Sequence, residues 1–354
     1  MKATFCNGIG IMSGTSLDGI DLAWCDFNKT DSGWAHTVRK ATTIPYEPSF
    51  KEQLKHATEL SAYEYARLDV ALGELIAEKI KQWIGQDIKP EFIASHGHTV
   101  FHQPHLGLTT QIGSGAVIAS RTGITTVCDF RTSDVALHGQ GAPLVPIGDE
   151  LLFGQYGACL NLGGFSNISF KRGDQRIAFD ISPCNMALNH LSTKMGLAYD
   201  KDGEIARSGK IIGTLFDQLN QIKYYHTEPP KSLGKEWFEA EMLPLLEQTV
   251  LVHSIPDCIR TVVEHIAFQI AKCLPPNTHN LLITGGGAHH QFLIEQIQKQ
   301  TSIPIIVPDD LTIDYKEAIV FAFLGMLRLN NLENCLQSVT GAIRNCCGGA
   351  VYNG

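Results

Sequence analysis

No run of about 18 apolar residues occurs in the 354-residue chain, so no membrane-spanning helix is expected. Met1-Lys2-Ala3-Thr4-Phe5 has no apolar signal core and leads directly into a first strand. Ten cysteines are present, yet none forms a Cys-x-x-Cys pair or another metal-ligand spacing. Cys346 and Cys347 are adjacent, which favours neither a mutual disulfide nor a shared zinc site. Free thiols in a reducing cytosol are the expectation. The net charge of −8 is spread without like-charge runs. With no basic stripe, nucleic acid and anionic membrane surfaces are excluded as partners. Neither a Gly-x-Ser-x-Gly elbow nor a His-Glu-x-x-His pair is found, which removes a hydrolase triad and a zincin.

What is present is an α/β pattern with glycine turns. Hydrophobic residues make up 44% of the chain, enough for sizeable cores, and the length favours two domains. Gly8-Ile9-Gly10-Ile11-Met12-Ser13-Gly14-Thr15-Ser16-Leu17-Asp18-Gly19-Ile20-Asp21 opens the chain. Ile20, Leu22 and Trp24 share one face of the run that follows, and Ala23, Cys25 and Phe27 the other, so it reads as a strand. The segment is therefore strand, glycine turn, strand. It also lacks the lysine that a P-loop carries before its Ser or Thr. Gly14 and Gly19 permit close backbone approach, and the Thr15 and Ser16 hydroxyls can face an anion. Asp18 and Asp21 would repel a bare anion, which suggests nucleotide phosphates held with Mg²⁺. A plain tight turn is the alternative.

A similar unit recurs about 150 residues later, as expected of a duplicated lobe. Ala158–Leu162 reads as a strand, Gly163-Gly164 as a turn and Asn167–Phe170 as a second strand. Helical spacing covers the stretch from Glu59 to Ile84, Glu264–Leu274 and Tyr315–Leu329. Phe92–Ala94, Thr125–Cys128, Arg176–Phe179, Asn280–Thr284 and Ile303–Val307 read as strands. The loop Gly139-Gln140-Gly141-Ala142-Pro143 is read as a crossing between two domains.

Several polar residues stand at predicted strand ends, where open α/β sheets gather ligands. Asp180 is placed as a general base or, alternatively, as a helix N-cap or loop residue. His96, beside Gly97 at the end of a buried strand, suits hydrogen bonding to a substrate, whereas His102 and His105 read as surface loop residues. Asp129 and Arg131 are an internal ion pair, or Arg131 clamps a carboxylate. Glu317 either favours its helix dipole or meets sugar hydroxyls. Gly285-Gly286-Gly287 admits an adenine ring to the backbone, or is an ordinary strand-to-helix connection.

Ile11–Asp21 resembles the signature of the anhydro-N-acetylmuramic acid kinases. Ser95–Val100, Asp129–Arg131, Gly139–Pro146, Asn161–Gly164, Thr284–His289 and Ser338–Ala342 resemble further blocks of that family, in family order. The resemblance implies an α/β, two-lobed actin-like ATPase fold with a duplicated core around a nucleotide cleft. Residues 1–130, completed by 338–354, would form the first lobe and 131–337 the second. It implies a cytoplasmic, homodimeric enzyme of cell-wall recycling that binds a small sugar and ATP. Its reaction converts 1,6-anhydro-N-acetylmuramic acid, water and ATP to N-acetylmuramic acid 6-phosphate and ADP.

By position, Gly14, Thr15, Ser16, Leu17, Asp18, Gly19, Ile20, Asp21, Gly163 and Gly164 would meet the ATP phosphates. Asp18 would support Mg²⁺, and Gly285, Gly286 and Gly287 would approach the adenosine. Asp180 would be the base, while His96, Asp129, Arg131 and Glu317 would lie near the sugar. The chain departs from the family at Asp180-Ile181-Ser182-Pro183, where Asp-Thr-Gly-Pro is usual, and at His98, which replaces the Gln of His-Gly-Gln. A kinase for another sugar, or a chaperone-like ATPase, is the alternative reading.

Overall fold

The computed structural model describes residues 5–14, 17–31, 33–85 and 89–354. The chain forms two compact units, one of residues 1–153 with 315–354 and one of residues 154–314. The chain thus passes from one unit to the other at Phe153–Gly154 and at Asp314–Tyr315. The boundaries expected at 130/131 and 337/338 lie inside the first unit, as does the Gly139–Pro143 loop. Among the described residues no helix is long and apolar enough to cross a membrane.

In the first unit, strands β1 (Phe5–Ser13), β2 (Ile20–Thr30) and β3 (Gly33–Ile44) form an antiparallel meander. Strands β4 (Phe92–Gln103) and β6 (Thr125–Cys128) continue the sheet in parallel on the β1 side, and β5 (Leu108–Ile112) pairs with β4. The second unit repeats this plan. Strands β7 (Ala158–Leu162), β8 (Phe165–Arg172) and β9 (Gln175–Pro183) form the meander. Parallel strands β10 (Leu281–Thr284) and β11 (Ile305–Ile306) follow on the β7 side. The orders β3-β2-β1-β4-β6 and β9-β8-β7-β10-β11 are therefore the same, which establishes the duplicated core.

Local chemistry explains the main elements. Helix Ala62–Ile84 starts at a reciprocal capping box, in which Ser61 accepts from the Glu64 N–H and the Glu64 carboxylate accepts from Ser61. It begins after the predicted Glu59, because Ala57–Glu59 forms a separate 3₁₀ turn. Helix Ile255–Cys273 begins earlier than the predicted Glu264, with Ser254 accepting from the Asp257 N–H and Pro256 in its first turn.

Helix Asp310–Leu329 lies against β1 and β4 with unusually little clearance. A Cβ at Gly10 would stand 1.8 Å from the Ala318 carbonyl oxygen, and one at Gly325 would stand 2.5 Å from the Ala94 Cβ. Both obstacles are firmly held, since Ala318 and Ala94 are buried. Gly10→Ala is expected to cost about 3 kcal/mol, the upper range for overpacking. Gly213→Ala, whose added Cβ would meet open space, is expected to change stability by less than about 1 kcal/mol. Urea unfolding of the two variants checks the contrast, and equal midpoints would refute it.

Candidate functional site

The first hairpin joins β1 to β2 across the glycine motif. Leu17 takes a left-handed φ of 57° and its N–H donates to the Gly14 carbonyl at 3.2 Å. Gly19 cannot carry a side chain, because a Cβ there would lie 2.5 Å from the Ile44 carbonyl oxygen. Ile20 is buried in the core, whereas Asp18 is exposed at the turn, with Lys51 Nζ at 4.0 Å. Asp21 accepts from the Thr43 hydroxyl at 2.6 Å. Thr15 and Ser16 lie outside the described residues.

Beside this hairpin, β4 carries His96 and His98 into the core. The strand extends well past the predicted Phe92–Ala94, because Gly97 adopts a φ of 72° that lets β4 continue against Ile112. His98 Nδ1 lies 3.3 Å from Ser13 Oγ, which is 2.6 Å from the Tyr46 hydroxyl. The residue that departs from the family pattern therefore contacts the end of β1. His102 lies on β4 rather than in a loop, with Nδ1 3.0 Å from the Thr109 hydroxyl.

His96 and Arg131 are coupled directly. His96 Nδ1 is 2.8 Å from the Gly97 carbonyl and must donate to it, so Nε2 bears the lone pair. That nitrogen accepts from Arg131 Nε at 3.0 Å and Nη2 at 2.8 Å, while Arg131 Nη1 donates to the Gly141 carbonyl at 2.6 Å. Burial, reinforced by Arg131, pushes the His96 imidazole well below its ordinary value. Burial also draws Arg131 down to about 10, so it stays cationic near neutrality. The guanidinium is thus committed to the imidazole, and Asp129 bonds to Thr132. Solvent reaches Glu317, while the protein packed around it raises its carboxyl and Arg131 pulls in the opposite direction.

Next to Glu317, Lys316 makes a buried ion pair with Asp149 at 2.7 Å. The sequence reading missed this pair. Its signal was a charged lysine on the most apolar helix.

In the second unit, Asp180 does not end its strand. β9 continues to Pro183, and the register shifts between Ser166 and Asn167, which face Ser182 and Asp180. Ile181 is thus the extra residue of a bulge, a device that re-aims the neighbouring side chain. Three contacts fix Asp180. Its N–H donates to the Lys231 carbonyl at 3.3 Å, its carbonyl accepts from the Tyr224 hydroxyl at 2.6 Å, and Oδ2 accepts from the Leu233 N–H at 2.8 Å. Burial raises its carboxyl despite the Leu233 hydrogen bond. Tyr224 and Leu233 are the positioning contacts that the sequence did not disclose.

The Gly163-Gly164 turn joins β7 to β8 and caps the start of helix Asn185–Thr193. The Asn185 N–H donates to the Gly163 carbonyl at 3.1 Å and the Met186 N–H to the Gly164 carbonyl at 3.2 Å. The Gly285–Gly287 turn packs on the same strand end. A Cβ on Gly285 would meet Asn161 Oδ1 at 2.4 Å, and one on Gly287 would meet Leu162 Cβ at 2.7 Å. Gly286 differs, since it is exposed and a Cβ would find only Asn185 Nδ2, at 3.7 Å. It is the glycine of the three that offers open backbone to a flat ligand.

A family model described as anhydro-N-acetylmuramic acid kinase matches residues 7–354. A protein of that name from Hydrogenovibrio crunogenus is 34% identical, over 98% of this chain and 97% of its own length. Another, from Aliivibrio fischeri, is 37% identical, over 97% and 98%. Among solved structures, a ROK family glucokinase from Streptomyces griseus in complex with glucose and AMPPNP aligns at a TM-score of 0.40 and 11% identity. That alignment covers 89% of this chain and 97% of the other.

The His96–Arg131 contact carries a pH dependence. Because the folded-state value of His96 is depressed, the unfolded chain takes up the proton first. Stability from this pair is therefore complete above about 6.5 and is lost as pH falls below it. His96→Ala is expected to cost about 1.5–3 kcal/mol at pH 7.5. The variant should also show a shallower loss of stability on acidification, measured by urea unfolding at a series of pH values. An unchanged pH slope would refute the neutral-imidazole assignment.

Proposed function

The chain belongs to the anhydro-N-acetylmuramic acid kinase family, and from that membership we propose the reaction it performs. The protein is a kinase that converts 1,6-anhydro-N-acetylmuramic acid, water and ATP to N-acetylmuramic acid 6-phosphate and ADP. The observation that carries this reading is the family match, which runs from residue 7 to residue 354. The duplicated cores and their glycine hairpins supply parts suited to it. In this reading the enzyme is cytoplasmic, homodimeric and active in cell-wall recycling.

The residues present fit a nucleotide. Gly285 and Gly287 exist without side chains because Asn161 and Leu162 fill that space, which leaves Gly286 with open backbone for the adenosine. Gly163 and Gly164 form the turn between β7 and β8, the counterpart of the Gly14–Asp21 motif, and we assign their backbone to the phosphates. Gly14, Leu17, Asp18, Gly19, Ile20 and Asp21 lie on the second turn we assign to the phosphates, and the Thr15 and Ser16 hydroxyls are assigned with them from the sequence. Exposed Asp18 is the carboxylate we assign to Mg²⁺, and Asp21, anchored by Thr43, supports the turn. When bound with ATP, Mg²⁺ neutralises charge on the transferring phosphoryl group.

Asp180 is assigned as the general base. The Leu233 N–H holds Oδ2, which directs Oδ1 to the reacting water. That carboxylate takes one proton as the water oxygen bonds to the anomeric carbon. The bond from the anomeric carbon to O6 breaks, and O6 takes the γ-phosphoryl group of ATP. Burial raises the Asp180 carboxyl, which makes it a stronger base than an ordinary carboxylate. His96, Asp129, Arg131 and Glu317 are assigned to the sugar side. Glu317 accepts from sugar hydroxyls, whereas His96 and Arg131, whose polar atoms are spent on each other and on the Gly97 and Gly141 carbonyls, are positioning residues behind it.

The direct test is ADP release from the purified protein. The anhydro-sugar is expected to stimulate it, and N-acetylmuramic acid or N-acetylglucosamine to do so far less. In water enriched in oxygen-18, label should enter the anomeric hydroxyl of the product. No stimulation by the anhydro-sugar, or label confined to phosphate, would overturn the proposed reaction.

Asp180→Asn keeps the size and the Leu233 contact but loses the base. Turnover is expected to fall by about 10²–10⁴-fold, the usual scale for general-base loss, with ATP affinity unchanged by calorimetry. Turnover near the wild-type rate would remove Asp180 from this role.

A further inference from the structure

In the first unit, Asp134, Cys335 and Cys346, which are assigned no part in binding ATP or sugar, bring three ligand atoms within 4.8 Å of one another. We propose that Asp134, Cys335 and Cys346 form a structural site for a zinc-class divalent cation. Residue spacing carries no such signal, since the two cysteines are separated by a reversal of the chain and the carboxylate lies 201 residues before Cys335. The fold brings them together. Cys335 and Cys346 face each other across an isolated antiparallel bridge, exchanging N–H···O bonds of 3.1 and 3.2 Å.

Asp134 is fully buried and sits on the short helix Thr132–Ala136. Its carboxylate only accepts. Oδ1 receives the Cys335 thiol at 3.0 Å and the Thr340 hydroxyl at 2.8 Å, and Oδ2 receives the Gly141 N–H at 2.8 Å. The backbone is built around this group, because a Cβ on Gly139 would lie 2.1 Å from Oδ2. A tetrahedral zinc ion with two sulfur ligands and one oxygen ligand needs donor separations of roughly 3.3–3.8 Å. These fit inside the observed envelope. The fourth position falls to a water or to the Thr340 hydroxyl.

The charge arithmetic favours such an ion. One carboxylate and two thiols carry a single negative charge. Binding a divalent cation releases two thiol protons and forms two thiolates, so cation, thiolates and carboxylate again sum to a single negative charge. No net charge is added to the interior, where an extra one would be costly. Because thiolates are soft ligands and two are present, zinc or cobalt is favoured over magnesium or calcium. The ion would clamp the Cys335–Cys346 segment onto helix Thr132–Ala136 and the adjoining Gly139–Gly141 turn.

The experiment uses the full chain, reduced and freed of metal by chelation, and titrates it with Co²⁺ alone. A single equivalent should bind, with a near-ultraviolet thiolate-to-cobalt charge-transfer band and visible d–d bands of tetrahedral intensity. Zinc should displace the cobalt and raise the unfolding temperature. Cys335→Ser and Cys346→Ser should each weaken cobalt binding by at least about tenfold and diminish the charge-transfer band. Cys347→Ser, next in sequence but outside the cluster, should bind as the parent does. Circular dichroism of the metal-free variants establishes that they are folded. The absence of a charge-transfer band in the parent overturns the proposal. So does a band that survives loss of both Cys335 and Cys346, or one that vanishes with Cys347→Ser. A Cys335–Cys346 disulfide that forms on aerobic purification, with no metal uptake after reduction, also overturns it.

Discussion

The close seating of helix Asp310–Leu329 on β1 and β4 is the constraint on which the first unit depends. Helix and strand normally keep apart by the thickness of their side chains. Here Gly10 lets the backbone of β1 reach the Ala318 carbonyl, and Gly325 lets the helix reach Ala94. The approach places Lys316 within 2.7 Å of Asp149 in a buried pair and sets Phe321 4.8 Å from the His96 ring. A helix displaced outward by one methyl group would stretch the Lys316–Asp149 pair and part Phe321 from the imidazole. Packing and electrostatics are thus one requirement, because the small residues set the distance at which the charged pair can form.

Polar side chains in both units are fixed by parts of the chain remote in sequence. His96 has its tautomer set by the carbonyl of its neighbour Gly97, yet its acceptor nitrogen is engaged by Arg131, 35 residues later. Asp180 is held by Tyr224 and Leu233, 44 and 53 residues away. Such long-range contacts restrict orientation without adding charge next to the carboxylate. Burial raises Asp180, and a single N–H tempers that effect. A carboxylate supported by dipoles keeps its basicity better than one paired with a lysine or arginine, whose charge would lower its proton affinity.

Much of this was legible in the sequence where the signal is local. The two glycine hairpins could be read because Ile20–Phe27 and Ala158–Leu162 carry strand patterns on either side of a turn. Strand β3 escaped notice, since Gly33–Ile44 mixes exposed with half-buried positions and carries no buried run. The bulge at Ile181 was also invisible, because it exists only as a register shift against β8. The roles open at Gly285–Gly287 could be separated only by position in space. Gly285 and Gly287 answer to Asn161 and Leu162, whereas Gly286 faces solvent.

The cysteines show why spacing alone underdetermines chemistry. Ligand motifs are short because a tight loop places neighbouring residues around an ion with little entropic cost. A site assembled from distant segments needs no such motif, provided the rest of the fold has already fixed those segments. The bridge between Cys335 and Cys346 and the glycine turn around Asp134 meet that condition. The same logic governs Asp180, whose neighbours in sequence leave its role ambiguous. In both cases the identity of the side chain supplies the reactive atom, and a contact formed only in the folded chain determines what that atom can do.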